Sequence, residues 1–336
     1  MKSKFTLLTK YVANVFIIAL ITLLLFELCY RYYIIDFYHT PWKMLNQTEN
    51  NSTEVDLLVF GDSFSAKPSG YVDLLRKQFP NKKIWNAAVA GIGIKQVNLF
   101  AARRIKQTKP KAILYQVYVG NDLLDVKNLT NWGKLSFTRN LYWAASDIFT
   151  SLRHLNQQLV GFRKEKSMIP LGLDKPFSMA LYDKRSLMFT QADEAYLYKT
   201  VTITDDFLTR YHTWKKEMDQ FIATIPFGTK LYLSFIPHCA QLNPRYLNYQ
   251  LALGNTVADT SVFFQEQYPF IKQAMHDFKN DSTIVFLSPL ATLRKADKET
   301  YPLYYENDPH FNPNGHKEFA DYLSIELLKL TSKQAY

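Results

Sequence analysis

The sequence predicts an α/β fold of three layers (α/β/α), in which helices cover both faces of a central five-stranded, mainly parallel sheet, preceded by one N-terminal transmembrane helix. Three observations predict this architecture. From residue 55 onward, short runs rich in Val, Ile, Leu, Tyr and Phe alternate with segments of helical periodicity. Those runs show no strict alternation of apolar and polar residues, which is typical of strands buried on both faces. Residues 11–30, before them, are almost continuously apolar.

The predicted elements follow one another in an order that suits crossover connections between parallel strands. We expect strands at residues 55–60, 83–89, 112–119, 230–236 and 283–287, and helices at residues 71–78, 95–106, 206–224, 261–278 and 315–330. Residues 123–204 interrupt this alternation, because they are aromatic, lack the pattern and contain Pro170 and Pro176. Loops at the carboxyl ends of parallel strands build active sites, so we expect this insertion to lie over the site.

The apolar segment at residues 11–30 has the length of a helix that crosses a bilayer and contains one charged residue, Glu27. Three lysines precede the segment and one arginine follows it closely. The positive-inside bias therefore places residues 1–10 in the cytoplasm and the rest of the chain outside it, in the periplasm or the extracellular space. A cleaved secretory signal is the alternative, but no small-x-small cleavage site follows the apolar core.

Residues 31–54 are expected to form a linker, because residues 46–53 are polar and carry no periodic pattern. Aromatic side chains near the end of the apolar segment are expected at the membrane–water interface, namely Tyr30, Tyr32, Tyr33, Phe37 and Tyr38. Residues 55–330 then form one catalytic domain that carries the insertion at residues 123–204.

The composition excludes a disordered chain and shows no nucleic-acid-binding module. Hydrophobic residues make up 47% of the chain and aromatic residues 15%, which is enough for a large buried core. The net charge of +10 would suit an anionic partner, but the basic residues occur as scattered pairs, so we expect no nucleic acid to bind. The two cysteines provide no disulfide framework, and the seven histidines lack chelating spacing, so neither a metal nor a cofactor is expected.

Two short segments near opposite ends of the predicted domain carry the residue types of a hydrolytic site. Gly61-Asp62-Ser63 directly follows the first predicted strand, which puts a serine hydroxyl where a buried strand ends. Asp308 and His310 supply a carboxylate and an imidazole, the two groups that activate a serine nucleophile. A plain turn is the alternative for the first segment, since turns favour its residue types.

Together with two further segments, these residues resemble the four sequence blocks of the SGNH (GDSL-type) hydrolase superfamily, in the same order along the chain. The blocks are Gly61-Asp62-Ser63, residues 86–91, Gly120-Asn121-Asp122 and Asp308-Pro309-His310. The resemblance implies a flavodoxin-like strand order. It also implies a triad in which Ser63 is the nucleophile, His310 is the base and Asp308 orients the imidazole.

The same resemblance implies an oxyanion hole. Its donors would be the backbone amides of Ser63 and Gly91 and the side-chain amide of Asn121, with Asp62 and Asp122 in supporting positions. Structural alternatives exist for two of these residues, because a glycine also permits a tight turn and an asparagine also stabilises an Asx turn.

One departure narrows the resemblance to a branch of the superfamily. A single residue, Pro309, separates Asp308 from His310, whereas most relatives have two residues between them. This short form, with a trailing Asn-x-x-Gly-His that ends at His316, resembles membrane-associated proteins that add or remove acetyl groups on bacterial polysaccharides. His316 is the alternative base, but it follows Gly315 at the start of a predicted helix, where a histidine more often packs or caps.

These expectations describe a membrane-anchored serine ester hydrolase that acts on O-acyl groups, O-acetyl in this branch, of an envelope carbohydrate or another small ester. Transfer of the acyl group to a sugar hydroxyl would use the same acyl-serine intermediate, and a multi-spanning acyltransferase would then be its membrane partner. The same residues also fit a lipid-acting esterase, and the same fold would suit a catalytically silent envelope-assembly protein.

Overall fold

The computed structural model describes residues 2–46, 54–164, 173 and 175–332, and its central element is one five-stranded sheet. The strands are β1 (Leu57–Phe60), β2 (Ile84–Asn86), β3 (Ala112–Tyr118), β4 (Lys230–Ile236) and β5 (Ile284–Leu287). They lie in the order β2-β1-β3-β4-β5, and every neighbouring pair is parallel. This is the flavodoxin-like order, so the predicted three-layer α/β/α fold is confirmed.

Helices lie on both faces of this sheet because the chain reverses direction across it after β2. The crossover helix α3 (Tyr71–Gln78) lies on one face and packs against α14 (Pro313–Ser332). On the other face, α4 (Ile94–Thr108) packs against α10 (Asp206–Ala223). Right-handed crossovers in opposite directions along a sheet require this arrangement. The remaining helices of the carboxyl-terminal half are α11 (Pro244–Ala252), α12 (Pro269–Asp277) and α13 (Leu290–Ala296).

The strands are apolar throughout because both of their faces are covered. All four residues of β1 are buried, and six of the seven residues of β4 are buried. Large aromatic rings fill the space between the sheet and the helices, and Trp214 and Phe221 on α10 are fully buried there. Burying such side chains stabilises the fold by roughly 1.5–3 kcal/mol each.

The structure corrects one predicted helix and adds elements that the pattern did not indicate. Residues 261–278 form a 3₁₀ turn (Thr260–Phe264) and the separate helix α12, because Pro269 cannot continue a helix and instead begins one. A two-stranded antiparallel hairpin, β6 (Tyr304–Tyr305) and β7 (Asp308–Phe311), was not predicted. Strands of two to four residues are too short to produce a readable period.

The described residues between β3 and α10 form five helices. They are α5 (Asp122–Asp125), α6 (Phe137–Ile148), α7 (Ser151–Lys164), α8 (Lys184–Ala192) and α9 (Tyr196–Thr202). Residues 165–172 and 174, within the predicted insertion at 123–204, lie outside the described residues.

The N-terminal helix α1 (Lys2–Arg31) is long and apolar enough to cross a membrane over the 23 residues Thr9–Arg31, within which an 18-residue window has a mean hydropathy of 2.5. The carboxyl end of α1 packs against the rest of the chain. Tyr30, Tyr33 and Tyr38 are 0%, 6% and 3% exposed, whereas Tyr32 is 77% exposed. The expectation that all of these rings lie at a membrane interface is therefore wrong for the three buried ones, because neighbouring protein covers them.

The residues after α1 also contact the sheet. Helix α2 (His39–Leu45) places the Trp42 ring 5.0 Å from the ring of Trp85 on β2. Asn46 donates a hydrogen bond to the carbonyl oxygen of Asn86 and accepts one from its amide, at 2.8 and 2.7 Å. Residues 47–53, which belong to the predicted linker, lie outside the described residues.

Candidate active site

Ser63 lies in a turn directly after β1, at the carboxyl edge of the sheet. Its Oγ is 2.8 Å from Nε2 of His310, a residue 247 positions away in sequence. The ring of Phe64, the next residue, lies 5.0 Å from the His310 ring and 4.5 Å from the Tyr118 ring at the end of β3. Because Phe64 is buried, its packing holds the turn in place while the Ser63 side chain remains partly exposed.

The other nitrogen of the His310 ring, Nδ1, forms a hydrogen bond with Oδ1 of Asp308. The same oxygen accepts the backbone N–H of His310 at 2.9 Å, which is possible because only Pro309 separates the two residues. Both residues lie on β7, and the hydroxyl of Tyr118 donates to the carbonyl oxygen of Pro309 at 3.1 Å. This hydrogen bond holds the β6–β7 hairpin, which carries His310, against β3.

The charges of Asp308 and His310 shift the pKa values of the two residues in opposite directions. Burial lowers the pKa of His310, but the charge of Asp308 and its hydrogen bond outweigh burial, so the pKa is raised above its ordinary value. Burial raises the pKa of Asp308, but the charge of His310 and the two hydrogen bonds from that residue outweigh burial, so this pKa is lowered. Asp308 therefore stays ionised when the imidazole takes up a proton.

Three hydrogen-bond donors at the same edge have no protein acceptor among the described residues: the amides of Ser63 and Gly91 and the side-chain nitrogen of Asn121. They follow β1, β2 and β3, which are neighbours in the sheet. The amide of Val89 donates to the carbonyl oxygen of Gly61 at 3.2 Å and joins two of the three loops. Gly91 has φ +75°, a conformation that favours glycine.

Asp62 and Asp122, the two predicted supporting residues, are buried at 3% and 4% exposure. Oδ1 of Asp62 accepts the amide of Phe64 at 3.0 Å, and Oδ2 of Asp122 accepts the amide of Tyr118 at 3.2 Å. Burial raises the pKa of Asp62 to about 6. Burial and the charges of Asp62 and Asp125 raise the pKa of Asp122 well above its ordinary value. Both carboxyl groups therefore stabilise backbone amides inside the fold.

His316, the alternative base, does not face Ser63. Its Nδ1 accepts the amide of Tyr71 at 3.3 Å, and its ring is stacked on the Tyr71 ring with 15° between the planes. Burial lowers its pKa to about 4. His238 is also internal, since its Nδ1 accepts the amide of Ala240 at 3.1 Å. Both histidines have structural contacts inside the fold.

Two residues near the site were not found from the sequence. Oε1 of Gln116 accepts the amide of Asp62 at 3.2 Å and the hydroxyl of Ser65 at 2.9 Å, so this side chain supports the serine turn from β3. A glutamine within an apolar strand was a readable signal. Arg185 lies beside Gly91, since a β-carbon added to that glycine would be 3.9 Å from the guanidinium Nη1. No sequence pattern indicated that proximity.

The described residues contain no group of three or more His, Cys, Asp or Glu side chains that could hold a metal ion.

Comparisons with known proteins found solved structures of low sequence identity and no match by sequence. No family model matches the chain, and no curated protein matches it. Among solved structures, TesA is 13% identical with a TM-score of 0.39, and the match covers 81% of this chain and 97% of that one. A lipase from a goat rumen metagenome is 12% identical with a TM-score of 0.39, and the match also covers 81% of this chain and 97% of that one.

Proposed function

We propose that this chain is a membrane-anchored serine esterase that removes short O-acyl groups, acetyl above all, from an envelope carbohydrate. The observation that carries the proposal is the 2.8 Å contact between Ser63 Oγ and His310 Nε2, with Asp308 on the opposite ring nitrogen. Nucleophile, base and orienting carboxylate stand in the order that acyl transfer requires. The sequence blocks that resemble the SGNH hydrolases contribute all three residues.

In the proposed reaction, His310 Nε2 takes the proton of Ser63 as Oγ bonds to the carbonyl carbon of the ester. The amides of Ser63, Gly91 and Asn121 donate to the oxyanion, and each donor is worth on the order of 3 kcal/mol in comparable sites. The ester C–O bond then breaks, and the leaving alkoxide takes the proton from His310. Water attacks the acyl-serine, gives its proton to the imidazole, and releases the acid as the proton returns to Ser63.

Two features of the site support a short acyl group. The His310 side chain is 39% exposed, so the reacting atoms are open to solvent. Neither Ser63 nor His310 is among the residues that line the cavities of about 510, 1220 and 610 Å³. A long acyl chain would need apolar cover at the nucleophile, whereas an acetyl group does not.

A neighbouring groove supports a long polar substrate. The 1220 Å³ cavity is lined by residues of the loops that carry Ser63 and Gly91, together with Trp85, Lys77 and Lys83. An aromatic ring beside exposed cationic side chains suits an acidic glycan, in keeping with the net charge of +10.

Membrane attachment through Thr9–Arg31, with the N-terminus in the cytoplasm and the catalytic domain outside, follows from the hydropathy of α1 and the distribution of positive charge. Protease protection in sealed cells tests this orientation. Residues after α1 should be accessible from outside the cytoplasmic membrane, and full protection of the domain from external protease would contradict it.

The test of activity is acid release by the purified full-length chain from p-nitrophenyl acetate and from an acetylated polysaccharide. Ser63→Ala should lower kcat/KM at least 10³-fold and abolish labelling by a fluorophosphonate, which reacts with activated serines. Ser261→Ala removes an exposed hydroxyl that binds only Asp259 and serves as the matched control. If Ser63→Ala keeps more than a tenth of the activity, the nucleophile is another residue. Octanoyl esters should react more slowly than acetyl esters, and the reverse order would indicate a lipid-acting enzyme.

A further inference from the structure

Glu27, the acidic residue of the apolar segment, is 5% exposed and forms specific contacts with the helical region between β3 and α10. Its carboxylate accepts the amides of Thr150 and Ser151 at 3.0 and 2.9 Å and the hydroxyl of Thr150 at 3.1 Å. These amides belong to the start of α7, where backbone N–H groups have no partner within the helix. Helix α1 therefore supplies the N-terminal cap of α7 from a residue 124 positions away in sequence.

Further contacts make the end of α1 and the start of α7 one packed unit. Arg31 forms an ion pair with Glu27 and donates to the carbonyl oxygen of Ile148 at the end of α6. The ring of His154 on α7 lies 5.6 Å from the Tyr30 ring and 5.4 Å from the Tyr38 ring. Both polar and aromatic contacts thus fix the position of α7 relative to α1.

Further along α7, Gln157 contacts the loop that carries Gly91. Nε2 of Gln157 donates to the carbonyl oxygens of Ala90 and Gly91 at 3.2 and 3.0 Å. Gln157 is six residues beyond Ser151, which places it roughly 9 Å along the helix from the capped end at 1.5 Å per residue. The capped end and the loop contact therefore lie less than two turns apart on one rigid element.

The hydrogen bond to Ala90 controls the direction of the Gly91 amide. In a planar trans peptide the C=O of one residue and the N–H of the next point in opposite directions. Because the carbonyl oxygen of Ala90 faces Gln157, the N–H of Gly91 faces away from α7. Gly91, at φ +75°, is a residue type that tolerates more peptide orientations than others, so the contact with Gln157 favours one of them.

We propose that Gln157 is a positioning residue that orients the Gly91 amide for catalysis, and that Glu27 keeps Gln157 in register by capping α7. The apolar N-terminal helix would then support the geometry of the active site in addition to anchoring the chain. The role of the Gly91 amide as an oxyanion donor comes from the proposed function, on which this inference rests.

Kinetics of Gln157 variants in the full-length chain test the first half of the proposal. Gln157→Ala should lower kcat about 10-fold and leave KM within 2-fold. An oxyanion donor stabilises the transition state more than the bound substrate, so its misorientation affects mainly kcat. Gln157→Glu should be at least as slow, since its carboxylate would face two carbonyl oxygens. Gln78→Ala, which removes an exposed hydrogen bond to Asp321, is the matched control. If both Gln157 variants keep the wild-type kcat, the proposal is wrong.

A double-mutant cycle tests whether Glu27 acts through Gln157. Glu27→Gln keeps the shape of the side chain but loses the charge that caps α7, and it should lower kcat several-fold. Combined with Gln157→Ala it should cause no further loss, because both changes release the same loop. Glu194→Gln, at an exposed ion pair with Lys134, is the control. If the loss of kcat in the double variant equals the product of the two single losses, Glu27 does not act through Gln157.

Amide hydrogen exchange separates this inference from the proposed function. Exchange at residues 88–93 should be at least 5-fold faster in Gln157→Ala and in Glu27→Gln than in either control, while the circular dichroism spectrum stays unchanged. This measurement needs no substrate. If the wild-type chain releases no acid but the exchange rates rise as expected, the proposed esterase function is wrong, whereas the proposed effect of Glu27 and Gln157 on the Gly91 loop is supported. Unchanged exchange in both variants overturns the coupling whatever the activity.

Discussion

Replacement of Asp308 by asparagine tests the electrostatic arrangement of the site. Oδ1 of Asp308 contacts Nδ1 of His310 and accepts the backbone amide of the same residue at 2.9 Å. An asparagine fits the same space and can still accept the backbone amide. The change therefore removes a negative charge next to the imidazole with little disturbance of the hairpin.

The expected loss follows from the charge that develops on His310 during the reaction. Two opposite charges about 4 Å apart interact by roughly 4 kcal/mol at an effective dielectric constant of 20. Because 39% of the His310 side chain is exposed, solvent screening reduces this figure, and we take about 2–3 kcal/mol. That corresponds to a loss of about 30- to 150-fold in kcat/KM. Stabilisation of the wrong tautomer by the carboxamide would enlarge the loss toward about 10⁴-fold.

The same substitution should also move the pH profile. In the proposed reaction His310 acts as the base when neutral. Its pKa in the wild type is raised, so activity should fall as the pH drops through a value above 6.5. Asp308→Asn removes the charge that favours the imidazolium, so the acidic limb should shift to lower pH. We would measure kcat/KM from pH 4 to 9 with acetyl esters, using Asp219→Asn on the surface of α10 as the control. A loss below 5-fold, or a limb that moves to higher pH, would refute the reasoning.

Three further predictions concern the oxyanion donor, a buried acid and a packed glycine. Asn121→Ala should lower kcat about 10²- to 10³-fold with little change in KM, and steady-state kinetics that show a KM effect alone would exclude its role as a donor. Asp62 has a pKa raised from 3.8 to about 6, so the folded state binds more protons in that window, and the free energy of unfolding should fall by about 3 kcal/mol as the pH rises through it. Urea titrations should show a steeper fall with pH in the wild type than in Asp62→Asn, which keeps the contributions of the raised pKa values of Asp122 and His310. In Gly315→Ala the new β-carbon would lie 2.1 Å from the carbonyl oxygen of Leu303, so the melting temperature should fall by an amount equivalent to about 1–3 kcal/mol of stability. Gly133→Ala should change the melting temperature little, because the nearest atom to its new β-carbon would be 3.6 Å away.

The arrangement of strands and crossover helices was predictable because its physical signal is local. Strand β4 and helix α3 begin and end at the residues that the apolar pattern indicated, 230–236 and 71–78. A strand covered on both faces must be apolar throughout, and an amphipathic helix must repeat its apolar residues every three to four positions. The prediction failed where the periodic pattern was weak. One helix was predicted across Pro269, where the structure has two elements, and the short hairpin β6–β7 was not predicted.

The candidate site was predictable as a set of residue types but not as an arrangement in space. The apolar pattern indicated the three strands, and the resemblance to the SGNH blocks singled out Ser63, Gly91 and Asn121 after them. These residues lie close together because the carboxyl ends of parallel strands meet at one edge of the sheet. The contact of Ser63 with His310 rather than His316 needed the coordinates, since both histidines lie near the same helix start.

The sequence by itself therefore determined the class of fold, the apolar helix at the start and the chemical groups available at the sheet edge, because each depends on the composition of a short segment. Tertiary structure alone decided the geometry of the imidazole, the support of the serine turn by Gln116, and the link from Glu27 through α7 to the Gly91 loop. Those features join residues between 51 and 247 positions apart, and contacts over such separations depend on how the whole chain packs.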